Sequence, residues 1–556
     1  MFIKLMSGGL VVILLSAAPA TGQEIVRDTV GHTYYFQQSN GSTGNRVALC
    51  DDGSVYVCWT NLAEWPPPEH PRHVYFNWLS PDGQWLYPGE GAPVSQSSGA
   101  GYGNLDIIYG NRGAITYHLF GISPFVTLAV DIEPPGIGFF DYYDPLDEIF
   151  PQNNDNPGRM FWPYIAVDRN DNTHLVMTEN TPGPGHFQRL GYTNSTDGGA
   201  TWIDPEVVDT VMVISSIIDA SPVSDRVVIA YAKSQDTTSQ AKNDIYYVVS
   251  EDGTTWDFRH GKVNITNYGD DQDSVWAYTD LDVVFDYNDD IHIAWTETPV
   301  SSTGERLFHT DIRHFSDLTQ EITTAVPSPV DSTWPDILCP WDSPVCKMNL
   351  GVFQGPPEQI YMTYTRFDSS DVAANGYANG EIYMTYSDNG GYSWHEPVNL
   401  TNTHTPNCLD PDCASENYAT LADKIDDKLH ITYVTAKNPC HGGSLPSPVI
   451  YETYQVVIPY GIDTKPNLPA EFSLIQNYPN PFNAETRISF ELNESAQVAL
   501  EIFDITGAKV ATLVDGHLPA GPHDIIWDAS DLASGLYLYR LSSGQMTAAR
   551  RAVVIK

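Results

Sequence analysis

Aromatic rings set beside amide or acid groups recur at four places in this 556-residue chain: Trp162-Pro163-Tyr164, Trp276-Ala277-Tyr278, Trp334-Pro335-Asp336 and Asn417-Tyr418. Each stands before an apolar run, so the rings gather at one mouth if those runs are the inner strands of a repeating fold. Flat rings beside hydrogen-bonding groups suit sugar faces or peptide side chains. Packing between neighbouring sheets uses the same residue types, and both readings stand at this level. Arg159, three residues before Trp162, is the natural partner for an anionic group on such a ligand.

Other chemistry is weaker. The acidic turns Asp168-Arg169-Asn170-Asp171-Asn172 and Asp286-Tyr287-Asn288-Asp289-Asp290 offer alternating oxygens that a calcium ion could use, but neither continues into a twelve-residue loop ending in Glu. The same residues make hairpin turns, which is the preferred reading. Calcium is thus the one cofactor the sequence raises, and no metal site is assigned. His174, His292 and His430 recur at one position of the repeat, which fits packing or hydrogen bonding, since a catalytic group has no reason to appear in several copies. No His/Cys spacing suggests zinc. Seven cysteines allow at most three bridges; proximity suggests Cys50 with Cys58, Cys339 with Cys346 and Cys408 with Cys413, leaving Cys440 over.

The elements that must position these groups are short strands. With 42 Gly and 40 Pro beside 32 Tyr, 20 Phe and 13 Trp, the chain favours strands and tight turns over long helices. Hairpins joined by acidic turns are clearest at Tyr164–Glu179, Leu281–Glu297 and Ala419–Thr435, with weaker copies starting near Val47, Leu105, Val223 and Leu350. Seven starts about 55 to 70 residues apart predict an all-β fold, a seven-bladed β-propeller followed by a small immunoglobulin-like β-sandwich. A stack of separate sandwiches is the alternative. A second recurring element closes the outer strands: Ser195, Asp197, Gly199 and Trp202 form a full Ser-x-Asp-x-Gly-x-x-Trp, Ser387 to Trp394 puts Asn389 at the Asp position, and Ser250 to Trp256, with Asp252, is one residue short.

These turns resemble the Asp-box (bacterial neuraminidase, BNR) repeats of sialidase-like propellers. In that setting the acid accepts backbone N–H bonds, Gly supplies positive φ and Trp packs between sheets, so the box marks the fold rather than the reaction. A sialidase-like enzyme would need three converging Arg, a Tyr activated by Glu and an acidic Asp. Arg46, Arg159, Arg226, Arg313 and Arg366 are available, but Asn45-Arg46-Val47-Ala48 lacks the Pro that the family places after its first Arg.

Lys+Arg 27 against Asp+Glu 70 gives a net charge of −43, which repels phosphate backbones and anionic membranes and argues against nucleic acid as partner. Lys4, the apolar run Gly8 to Ala18 and Ala18-Pro19-Ala20 read as a secretory signal peptide over 1–22, with no later window apolar enough for a membrane helix. The propeller is expected over 24–460 and a linker over 461–470. From 471 to 556, Asn477-Tyr478-Pro479-Asn480-Pro481-Phe482-Asn483, the Asp504 to Gly507 turn, Ser534-Gly535-Leu536-Tyr537 and the basic terminus resemble the type IX secretion system C-terminal sorting domain (type A). That resemblance implies Sec export, passage through the outer membrane by the type IX machinery, and a secreted or surface location. The expected function is binding of an extracellular glycan or protein at the channel mouth; the alternative is an extracellular glycoside hydrolase of sialidase-like type.

Overall fold

Strands and tight turns alternate from Arg27 to Val554, and no described residue lies in a helix. The structure is a computed structural model that describes residues 26–456 outside 40, 63–71, 121–124, 146–147, 150–157, 181–186, 236–239, 269–274, 301–308, 330–336, 356 and 441–443. It also describes residues 472–556 outside 475–476, 478–479, 481, 493–494, 505–507, 520, 544–545 and 555. The signal peptide, Trp334 and the linker expected from the sequence lie outside the described residues. The chain divides into two units, Met1–Val456 and Val457–Lys556.

In the first unit the strands fall in chain order into antiparallel groups of four, to which Glu148–Ile149 adds beside Gly158–Val167 and Lys424–Ile425 adds in parallel beside Val345–Phe353. The first group is Val47–Leu49, Val55–Leu62, Arg72–Leu79 and Ala92–Pro93; the second Ala100–Ile108, Arg112–Leu119, Val126–Asp131 and Phe140–Tyr143; the third Gly158–Val167, Thr173–Asn180, Gln188–Ser195 and Glu206–Val211. The fourth is Ser216–Ala220, Val227–Ser234, Asn243–Ser250 and Val263–Asn264; the fifth Val275–Phe285, Ile291–Pro299, Asp311–Ser316 and Ile322–Val326; the sixth Val345–Phe353, Gln359–Val372, Ala378–Ser387 and Val398–Asn399. The last group, Ser415–Leu421, Lys428–Ala436 and Ser447–Gln455, takes its outer strand from the opposite end of the unit, Arg27–Thr33. First strands of successive groups are neighbours, and Ser415–Leu421 in turn neighbours Val47–Leu49, so the groups close on themselves. The expected start at Val223 is displaced: that residue lies in the turn after Ser216–Ala220, where Ser221 and Ser224 hydroxyls hold the bend through Asp289.

Strands such as Val55–Leu62 are buried along their whole length and cannot be satisfied by one sheet alone. The large apolar clusters therefore sit between adjacent groups: Val30, Val47 and Trp59 with Val434 and Tyr451, for example, or Val284 and Ala294 with Leu350 and Met362. Between first strands, side chains of one group take the backbone N–H groups of the next. Asp106 accepts from Val167 at 2.6 Å, Asp219 from Phe285 at 2.7 Å, Asp282 from Leu350 at 2.6 Å and Asn349 from Leu421 at 2.7 Å, while Asn45 bonds Asp423. Burial pushes these acids up, Asp106 to about 6, Asp219 to about 7 and Asp282 to about 8; Asp423 is raised further by Asp219, Asp282 and Asp106.

The outer turns are built from the same bonds. Asp197 accepts from Thr201 N–H at 2.8 Å while the Ser195 hydroxyl accepts from Gly199 N–H at 2.8 Å. Asn389 repeats the arrangement with Ser393 N–H at 3.0 Å, and Asp252 takes Thr254 and Thr255 N–H in the shorter turn. Trp202, Trp256 and Trp394 each pack against an apolar cluster between groups. Gly391 has φ +83°, and a Cβ there would lie 1.9 Å from the His314 ring, so only glycine fits. The acidic inner turns are closed by the same bonds: Asp168 accepts from Asn170 and Asn172 N–H, and Asp286 from Asn288 and Asp290 N–H. His174 and His430 bond Tyr192 and Tyr451 hydroxyls at 2.8 and 2.6 Å, and His292 meets His314 at 3.1 Å.

Cysteine pairing departs from proximity in sequence. Cys408 pairs with Cys413, but Cys339 pairs with Cys440 across 101 residues, because the loop before the sixth group lies against the turn of the last. Cys50, Cys58 and Cys346 are free and buried. In the second unit, Phe472–Leu474, Glu485–Leu492 and Gly521–Asp528 form one sheet, and Ala496–Asp504, Lys509–Leu518, Gly535–Ser543 and Met546–Val554 another. Ile488, Phe490, Leu500, Trp527, Tyr539 and Leu541 fill the core between them.

Two outcomes follow for stability. An acid whose folded pKa is raised binds more protons folded than unfolded, so stability falls as pH rises from about 4 to about 8 through the values of Asp106, Asp219 and Asp282. Thermal melts should show a lower Tm at pH 8 than at pH 5, and Asp282→Asn, which keeps the acceptor for Leu350 N–H, should reduce that fall; an unchanged pH profile in the variant would refute the assignment. Gly391→Ala should cost about 1 to 3 kcal/mol in denaturant unfolding, from its positive φ and the contact with His314, whereas Asn389→Asp, which keeps the acceptor, should be near neutral.

Candidate functional site

At one end of the ring the first strands share a local distortion. Each of five carries a bulge, between Gly101 and Asn104, Phe161 and Tyr164, Ala277 and Leu281, Cys346 and Asn349, and Asn417 and Thr420. In four of them the bulge holds a bulky residue at positive φ: Tyr102 at 54°, Trp162 at 51°, Lys347 at 55° and Tyr418 at 58°. Such backbone costs about 1 to 3 kcal/mol per residue and persists only where its surroundings impose it. The bulge breaks the in-out alternation and re-aims one side chain per strand.

Buried groups hold these side chains. The Lys347 ammonium lies 3.1 Å from Asp280 and 4.0 Å from Asp342 and sits 5.6 Å from the Tyr418 ring centroid; Asp280 and its neighbours hold it well above the usual lysine range. Arg46 is fully enclosed and donates to the carbonyls of Thr43 and Tyr418 at 2.8 and 3.0 Å, with burial lowering it to about 10. It fixes the bulge of the last group and is closed to any ligand.

A cleft of about 240 Å³ opens beside the third group, lined by Trp162, Gln188, Met212, Val213, Ile214, Gln240, Thr279 and Trp341. Trp162 is half-buried, and Trp341 is 38 % exposed and stacked on Tyr278 with ring centroids 6.4 Å apart. Gln188 donates to Glu179 carbonyl at 2.7 Å and Gln240 to Met212 carbonyl at 3.1 Å, which fixes both amides and leaves each Oε1 as an acceptor. The Trp162 Nε1 and Thr279 Oγ1 are buried without a partner. Apolar faces with a few fixed polar groups suit a small ligand segment.

The residues singled out in the sequence are only partly brought together. Trp162 lines the cleft and Tyr278 supports it from beneath. Arg159 is exposed, with its guanidinium 4.4 Å from the Phe125 ring centroid. Tyr164 is buried, its hydroxyl donating to Ser42 carbonyl at 2.9 Å, and Asn417 and Tyr418 are buried beside Thr365 and Lys347. Trp276, only 2 % exposed, packs with Ala241, Tyr278 and Val300 and presents no open ring face. Trp341, Gln188, Gln240 and Lys347 were missed. A signal existed: Tyr102, Trp162, Lys347 and Tyr418 each stand two residues before Asn104, Tyr164, Asn349 or Thr420, a spacing that marks the shared bulge. Arg226 pairs with Glu251, Asp289 and Asp317, Arg313 with Glu297, and Arg366 lies over Tyr383, so the candidate arginines do not converge.

Comparison with curated proteins gives no match. Among solved structures, a polysaccharide lyase of family PL25, an ulvan lyase, is similar at TM-score 0.48 and 15% identity over 78% of this chain and 96% of that one. The polysaccharide lyase Uly1 follows at 0.46 and 10% over 79% and 94%, and a Trypanosoma rangeli sialidase mutant displaying trans-sialidase activity at 0.37 and 10% over 83% and 85%. At these values the likenesses say nothing about ligand or reaction. Among the described residues no helix is long and apolar enough to cross a membrane. Residues 476–556 match the secretion system C-terminal sorting domain, and through it the protein is exported by the type IX system to the outer-membrane surface or the extracellular space.

Proposed function

We propose that the first unit is a seven-bladed β-propeller of Asp-box type, each four-stranded group a blade, and that it binds an extracellular glycan in the cleft between Trp162 and Trp341. In this reading a signal peptide over 1–22 and a linker over 461–470 flank it, and residues 471–556 form an immunoglobulin-like sandwich. The observation that carries the binding reading is the cleft lining: two partly exposed indoles beside two fixed glutamine amides. Indole faces stack on the C–H surfaces of sugars, and amide oxygens accept from ring hydroxyls. Asp280 and Asp342, next in sequence to the cleft residues Thr279 and Trp341, flank the Lys347 ammonium, which favours binding over hydrolysis.

Glycan-array binding of the mature chain tests this, alongside a panel of fluorogenic glycosides. Trp162→Ala or Trp341→Ala should weaken binding by about 1 to 3 kcal/mol with little change in Tm. Trp276→Ala should instead cost about 3 to 5 kcal/mol of folding free energy through the cavity it leaves. Turnover of a glycoside would replace the binding reading with the hydrolase, and a protein ligand with no glycan bound would replace the ligand class. Export has its own test. Deleting 472–556 should leave the protein in the periplasm of its host, and normal surface delivery of the truncated chain would refute the role of that segment.

A further inference from the structure

In a chain of 70 acidic and 27 basic residues most exposed arginines could find an acid. Arg27, Arg169, Arg189, Arg226, Arg313 and Arg540 each reach a carboxylate. Arg72, half-buried, donates to the Tyr35 hydroxyl at 3.0 Å and lies 5.1, 5.4 and 5.5 Å from the ring centroids of Tyr35, Tyr102 and Phe120, with no ion pair among the described residues. The Tyr35 hydroxyl in turn bonds Tyr102 at 2.8 Å, which fixes the direction of the guanidinium.

A second group faces the same place. His118 is fully buried and neither ring nitrogen has a partner. It stands opposite Gly101 in the strand register, and a Cβ on Gly101 would lie 3.5 Å from Arg72 Nη1 and 3.6 Å from His118 Nε2. The absent side chain leaves about one carbon's width, a narrow cradle, between a cation and an unused imidazole. The His118 ring is also 6.2 Å from that of Trp162, one of the residues that line the cleft.

We propose that Arg72 and His118 bind one oxyanion group of the ligand, a carboxylate or a sulfate ester, over Gly101, so that the glycan held at Trp162 is an acidic one. The glycan part rests on the reading of the cleft given above; the anion part does not. Arg72 supplies the charge and N–H groups in a planar fork that matches an oxyanion. Burial lowers His118 to about 3, so it is a neutral imidazole that can give one N–H without adding charge. Aromatic walls strengthen these bonds by excluding water.

Calorimetric titration of the mature chain with sodium glucuronate, methyl glucoside and inorganic sulfate, at ionic strength held constant with chloride, tests the cradle. The wild type should bind glucuronate or sulfate, and Gly101→Ala should lose about tenfold or more of that affinity. Gly101 has no positive φ and the added methyl makes only ordinary contacts, so this variant should keep the wild-type Tm. Arg72→Gln should lose the same binding. Binding of sulfate but not glucuronate assigns the sulfate ester, and the reverse assigns the carboxylate. Trp162→Ala should weaken glucuronate and leave sulfate unchanged; if it changes neither while Gly101→Ala abolishes anion binding, the cradle stands and the cleft reading falls. Anion titrations identical in wild type and Gly101→Ala, or no anion binding by the wild type, overturn the cradle.

Discussion

The ring depends on hydrogen bonds that the backbone of one first strand donates to side chains of the first strand before it. Neighbouring groups are separate sheets over most of their length, so their first strands meet without a continuous ladder, and backbone N–H groups at that meeting need acceptors. Asp106, Asp219, Asp282 and Asn349 supply them in one direction around the ring, and the Asn45 and Asp423 side chains close the seam between the last group and the first. The arrangement buries several carboxylates near one another, which raises their affinity for protons. Order around the ring is thus obtained at a cost in electrostatic energy that grows with pH.

The mouth is a consequence of the same crowding. Where first strands converge, alternation would point every second side chain into its neighbour, and the bulges release that conflict by turning Tyr102, Trp162, Lys347 and Tyr418 into left-handed backbone. Buried Arg46 and the Lys347–Asp280 pair then hold the strained segments. Strain of this kind collects at sites where a side chain must be presented rather than packed, and of the four only Trp162 lines the cleft. The others brace it or fill the core.

Charge gives the two units different characters. Residues 472–556 hold 6 basic and 9 acidic residues, so almost all of the acid excess belongs to the chain before them. An acidic surface keeps such a protein soluble and apart from anionic surfaces. An anion that binds it must therefore be met at close range by a donor, and Arg72, which no described carboxylate pairs, is placed to do that.

Composition and periodicity determined the all-strand fold, the rough spacing of the hairpins and the sorting segment, because strand alternation, turn residues and the Tyr478-Pro479-Asn480-Pro481 run are local. The outer turns were legible for the same reason: Ser195, Asp197 and Gly199 bond within five residues. What could not be read was which ring is open and which is covered. Trp276 and Trp162 stand in similar local sequence, yet one is enclosed by Ala241 and Val300 and the other lines a cleft. Nor could local sequence find Trp341 beside Gln188, Cys339 against Cys440, or Arg72 beside His118, since each pair meets across more than 40 residues. Those meetings are set by how the groups close on one another, and only the tertiary structure decides which side chains that closure leaves facing water.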